Sequence, residues 1–158
     1  MKCKDLISIS DLSQPDIEEI FNVTRELKEW HNKGYDEKCL GGKILGMIFE
    51  KSSMRTRVSF EVAMVQLGGN AIYLTQNDIN LGKREAVKDG ARVLSRYVNG
   101  IAIRTFGQDT IQELARYATV PVINALSDYL HPCQALTDLY TIKEKFGTYT
   151  NIKIAFVG

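Results

Sequence analysis

Cysteine is scarce in this chain. Cys3, Cys39 and Cys133 are an odd number with no metal-like spacing, so a disulfide framework is not expected and a reducing, cytoplasmic setting fits best. Long apolar runs are missing as well: none approaches the ~20 residues needed to span a bilayer, and the opening MKCKDLISISD lacks a secretory apolar stretch. Neither sign of charge is in excess. The 20 basic and 19 acidic residues leave +1, too little to recruit nucleic acid or a membrane, so any basic site must be local. There is no internal repeat and no low-complexity tract. What is present is core-forming material: 44% of 158 residues are hydrophobic, enough for one ordinary domain.

Ser13 reads as a helix N-cap, with Pro15 in the first turn and Asp16 three residues on. Ile17, Ile20, Phe21, Thr24 and Leu27 then mark one face of a helix that Gly34 ends. Gly41-Gly42 is a turn, and beyond it the pattern changes. Short apolar runs at 44–49, 70–74, 100–104 and 121–124 predict strands. Helical patterns lie between them: 54–67, then Val87, Ala91, Leu94 and Val98, then Ile111, Leu114, Ala115 and Ala118 behind an Asp109 cap. A last helix begins at Pro132 and ends at Gly147. Such alternation predicts an α/β fold, a four-stranded parallel sheet with helices on both faces, preceded by an N-terminal helix. The tail, residues 151–158, reads as a further buried strand, the first of a second α/β domain. The loop 75–84 is polar and is expected to be mobile.

In a parallel sheet of this type ligands sit beyond the carboxyl ends of the strands. Three chemically suggestive segments fall there. Ser53-Met54-Arg55-Thr56-Arg57 follows the first strand at a helix start, where free N–H groups and two guanidinium forks suit phosphate. With Lys51 these arginines make a local basic cluster. The plainer reading is an N-capped surface helix with exposed arginines. Arg104 ends the third strand; a solvated strand-end charge is its ordinary role. His131-Pro132-Cys133-Gln134 follows the fourth, with Pro132 at N1 and His131 as N-cap. His131 could donate to an oxyanion and the Gln134 carbonyl could read an NH2 group; a simple polar first turn explains the quartet about as well. Cys133 could be activated by the helix start, but a small packed side chain is its commoner role. Ser127 and Asp128 read as loop support.

FEKSSMRTRVSFE (49–61), a DINLG loop running into GKRE (78–85), the strand-ending Arg104 and LSDYLHPCQALTDL (126–139) together resemble the aspartate/ornithine carbamoyltransferases, the ornithine branch most closely. The resemblance covers essentially the whole chain. It implies a carbamoyl-phosphate-binding domain over residues 1–147, including an inter-domain helix 132–146, with 148–158 opening an ornithine-binding domain. It also implies roles. Ser53, Met54 (through its backbone), Arg55 and Thr56 would hold the phosphate, and Arg104 would span phosphate and carbonyl oxygen. Thr56 and His131 would face that oxygen, and Gln134 would hold the carbamoyl NH2. Asn80 would be a substrate contact where relatives often carry Gln or His, and Arg57 would support its loop. Arg55, Thr56, Arg104 and His131 would form the catalytic set. No metal or organic cofactor is implied. The expected partners are carbamoyl phosphate, L-ornithine and two further copies in a homotrimer, with residues 78–84 reaching a neighbour's site. Putrescine carbamoyltransferases share this half, and a non-catalytic phosphate-binding domain is the alternative of a different class. Residues 1–158 alone are expected not to turn over.

Overall fold

The computed structural model describes residues 3–35, 37–79, 81–82, 84–155 and 157. A 3-10 turn (Ile9–Asp11) precedes α1 (Gln14–Asn32). The helix is entered through a capping box: the Ser13 N–H donates to Asp16 Oδ2 at 3.0 Å, and the Asp16 N–H donates to Ser13 Oγ at 3.4 Å. Gly34, at φ +77°, turns the chain away in a conformation that costs other residues steric strain. Strands and helices then alternate: β1 (Ile44–Phe49), α2 (Met54–Gln66), β2 (Asn70–Thr75), α3 (Val87–Leu94), β3 (Gly100–Arg104), α4 (Gln108–Tyr117), β4 (Val122–Leu126) and α5 (Pro132–Phe146).

The four strands are parallel, in the order β2-β1-β3-β4. Successive side chains of a strand point to opposite faces, and the two cores follow that alternation. Leu45, Met47 and Phe49 of β1 meet Met64 of α2 on one face. Ile48, with Ile101 and Ile103 of β3, meets Val87, Ala91, Ile111 and Leu114 of α3 and α4 on the other. The strand order, with the right-handed sense general to parallel crossovers, accounts for this division. The step from β1 to β2 runs one way across the sheet, and the steps to β3 and β4 run the other. β1 and β3 are therefore neighbours whose onward connections diverge, and the crevice beyond their carboxyl ends is the place where such sheets bind ligands. Phe49 and Arg104 are register partners there.

A third cluster joins α1 to α5. Phe21 packs edge-on against Tyr140, with ring centroids 5.3 Å apart, and against Tyr149 at 5.8 Å. The outer edge of β4 is closed by the start of the chain: the Leu6 N–H donates to the Val122 carbonyl and the Asn124 N–H to the Leu6 carbonyl, at 2.9 and 2.8 Å. That pairing leaves less open edge for unwanted association.

Several expectations need correction. Asp109 does not cap α4; Gly107 holds the N-cap position and Asp109 lies in the first turn, without a side-chain capping bond. The periodic run Val87, Ala91, Leu94, Val98 is helical only to Leu94, and Val98 packs into the core from the turn that follows. Residues 152–155 form no strand, and Ile154 is exposed; without a ladder partner the segment leaves its backbone to water and gains nothing from a regular strand. The loop after β2 is anchored over its described residues. Asp78 Oδ2 accepts from the Thr75 N–H at 2.7 Å and from the Thr75 hydroxyl at 2.6 Å, and Leu81 is buried in the α3 core. Asn80 lies outside the described residues. Among those described, no helix is long and apolar enough to cross a membrane.

Candidate active site

Ser53, Arg55 and Thr56 from the start of α2, Arg104 from the end of β3, and His131 and Gln134 from the start of α5 line one cleft of about 480 Å³. Three segments distant in sequence thus meet above the β1/β3 switch point. Ser53 is the N-cap of α2, and its Oγ accepts from the Thr56 N–H at 3.4 Å and donates to Thr56 Oγ1 at 3.0 Å. The N–H groups of Met54 and Arg55, the first two of the helix, have no intrahelical acceptor, as helix geometry requires. They add the positive end of the helix dipole to the Arg55 guanidinium. The Met54 side chain turns away and is 74% exposed, so only its backbone belongs to the cleft.

The basic cluster read from sequence is divided by the fold. Lys51 is ion-paired with Asp128 and lies over the Phe106 ring at 4.4 Å. Arg57 donates from Nε to Glu61 Oε1 at 3.0 Å and stacks on Tyr73 at 3.8 Å. Arg55, by contrast, has no hydrogen bond or ion pair among the described residues. The cations lining the cleft are therefore Arg55 and Arg104. Arg104 follows a register shift between Ile103 and Arg104 in the β3–β4 ladder, the kind of irregularity that re-aims a side chain beside a site.

Two polar atoms on the cleft residues are buried without a hydrogen-bond partner among those described, Arg104 Nε and His131 Nδ1. Such atoms are costly in a folded protein and call for a functional reason. Burial, then the neighbouring Arg104 charge, lower the His131 pKa below its ordinary value, with Asp138 opposing. The imidazole is accordingly neutral at pH 7 and offers an N–H donor rather than a charge.

Burial pushes the Cys133 thiol up to about 11, and its Sγ contacts the Asn124 carbonyl at 3.5 Å. It is a packed side chain, not a nucleophile. Burial thus keeps the Cys133 thiol protonated at pH 8, whereas Cys39 is exposed. Alkylation at pH 8 followed by peptide mass spectrometry should label Cys39 first and Cys133 last; rapid labelling of Cys133 would contradict this packing.

Sequence reading missed Ser59, Phe60 and Thr137, which line the cleft together with Leu126 and Cys133. Their spacing of three or four from Thr56 and Cys133 was the available signal. Ser127 has the expected supporting role: its Oγ accepts from the Leu130 N–H at 2.9 Å and donates to Gln108 Oε1 at 2.6 Å, shaping the loop that delivers His131.

The fold and cleft define an open parallel α/β domain with a cationic, hydroxyl-rich site at its topological switch point. Comparison with known sequences makes the class specific: residues 4–144 match the aspartate/ornithine carbamoyltransferase, carbamoyl-P binding domain. The chain belongs to that family. An ornithine carbamoyltransferase of Syntrophus aciditrophicus is 56% identical over 155 residues, covering 98% of this chain and 51% of the relative. The structure of ornithine carbamoyltransferase from Pyrococcus furiosus superposes with a TM-score of 0.90 at 50% identity, over 92% of this chain and 46% of that one. The catalytic subunit of M. jannaschii aspartate transcarbamoylase gives 0.89 at 41% identity, over 99% and 52%. The chain spans about half the length of the curated relatives it matches.

Proposed function

We propose that this chain is the carbamoyl-phosphate half of an ornithine carbamoyltransferase, residues 1–147 forming that domain and 148–158 leading into an acceptor-binding one. The observation that carries the reading is the shared cleft of Ser53, Arg55, Thr56, Arg104, His131 and Gln134. The N–H groups at the start of α2, the Ser53 hydroxyl and the Arg55 fork hold the phosphate. Arg104 bridges phosphate and carbonyl oxygen. Thr56, Arg104 and neutral His131 donate to that oxygen as it becomes an oxyanion. Gln134 accepts from the carbamoyl NH2.

The neutral δ-amino group of L-ornithine attacks the carbonyl carbon to give a tetrahedral intermediate. The bond from carbon to the phosphate oxygen then breaks. Phosphate leaves with its charge met by Arg55 and Arg104, and takes the proton released by the amine. Citrulline is the other product. Assembly as a homotrimer, with residues 78–84 reaching a neighbour, belongs to the same proposal. The uncovered apolar stripe Met54, Val58, Val62 and Val65 on α2 supports a partner surface.

Curated relatives named ornithine carbamoyltransferase at 56% and 51% identity, against 41% for the M. jannaschii aspartate enzyme, favour ornithine as acceptor. Two measurements test the reading. Calorimetry on residues 1–158 should show carbamoyl phosphate binding, and the chain alone should form no citrulline. A polypeptide that joins this chain to an acceptor-binding domain should carbamoylate L-ornithine in preference to putrescine or aspartate. A preference for another amine would move the assignment to that acceptor; absence of carbamoyl phosphate binding would refute it.

A further inference from the structure

Gln134 lies in the first turn of α5, on the cleft wall. Its carboxamide has two ends of opposite hydrogen-bonding character, and an unrestrained amide can present either. Nε2 donates to Asp138 Oδ1 at 2.8 Å, one helical turn further on. An ionised carboxylate only accepts, so this bond is available to the NH2 end alone. The reversed amide would set a carbonyl oxygen against the carboxylate. The i,i+4 spacing keeps both side chains on one face of the helix.

We propose that Asp138 is a positioning residue that locks the Gln134 amide with its carbonyl oxygen free for the ligand, so that the site selects an acyl phosphate bearing NH2 over one bearing a methyl group. The inference rests on the carbamoyl phosphate reading above and narrows its substrate class. Acetyl phosphate offers the locked carbonyl no donor, so the bond that a carbamoyl NH2 makes there is not formed. Without the lock, Gln134 turns over and the distinction between the two ligands fades. The phosphate end is held from α2 and does not sense the change. The Asp138 charge also acts on His131, opposing the effect of Arg104. Loss of that charge would lower the His131 pKa further and leave the imidazole neutral at pH 7, so Asp138→Asn and Asp138→Glu report on the amide: asparagine keeps the size but can bond Gln134 in either sense, whereas glutamate remains an obligate acceptor.

The test is titration calorimetry of residues 1–158 with inorganic phosphate, carbamoyl phosphate and acetyl phosphate, each variant first checked by thermal unfolding. The wild-type chain should prefer carbamoyl over acetyl phosphate by about tenfold, the weight of one net hydrogen bond. Asp138→Ala and Asp138→Asn should reduce that ratio to about threefold or less at unchanged inorganic phosphate affinity, and Asp138→Glu should restore it. An unchanged ratio in the alanine variant, no rescue by glutamate, or an equal loss for all three ligands would overturn the positioning role. A wild-type chain that binds phosphate without preferring carbamoyl phosphate refutes the functional reading itself, and this inference with it.

Discussion

Arg55→Ala is expected to weaken carbamoyl phosphate binding about a hundredfold and to leave the fold intact. Hydrogen bonds to charged groups are worth about 1.5–3 kcal/mol each, and a guanidinium fork makes two to a phosphate, so the low end of that range already gives about two orders of magnitude. The fold loses nothing comparable. Arg55 is exposed and has no hydrogen bond or ion pair among the described residues. A cation in the first turn also opposes the helix dipole, so the alanine variant should melt at the same temperature or slightly higher. Arg57, two residues on, is the internal control. It is held by Glu61 and stacked on Tyr73, so Arg57→Ala should lower the melting temperature and barely change binding. Calorimetry and thermal unfolding on the two variants decide the matter; equal losses of affinity would remove the division of labour between these arginines.

Arg104→Met is expected to weaken carbamoyl phosphate binding by a similar factor, about a hundredfold, because it removes the second cation of the cleft. It should also leave a signature on His131. The wild-type imidazole titrates below its ordinary value through burial first and the Arg104 charge second. Methionine keeps the covering and removes the charge, so the His131 pKa should rise while staying below about 6.5. The consequence for stability has a definite sign. With a folded pKa below the unfolded one, the unfolded chain takes up the proton first, and stability falls as pH drops from about 6.5 through the folded pKa. That window should narrow in Arg104→Met. Histidine-selective NMR titration measures the pKa directly; a His131 pKa above the ordinary value, or one indifferent to Arg104, would contradict the geometry.

Much of the scaffold was legible because the signals were local. Ser13, Pro15 and Asp16 specify the start of α1, and Pro132 with Gly147 bounds α5. The short apolar runs of β1 and β3, bounded by turn residues and charge, read as strands buried on both faces and are so. Convergence of the three polar segments followed from a rule about parallel sheets rather than from any one residue. What escaped was whatever depended on distant partners. The Lys51–Asp128 pair spans 77 residues, and neither end announces the other in sequence. Arg57 has a partner in Glu61 at helical spacing, yet its stacking on Tyr73 of β2 needed the fold. The strand expected at 151–158 had the right composition and, over its described residues, no neighbouring strand to pair with. Asp138 was visible as an i,i+4 neighbour of Gln134, but its meaning emerged only once Gln134 was placed on the cleft wall.

The claim on which the rest depends is that Met54–Thr56, Arg104 and His131–Gln134 form one ligand site. Titration of the isotope-labelled chain with carbamoyl phosphate, followed through its backbone amide NMR signals, tests it directly. A single saturating curve with one dissociation constant should describe the shifts of all three segments, while signals on the outer face of α1 stay still. Shifts confined to one segment, or different dissociation constants for α2 and α5, would mean that the cleft does not act as a unit.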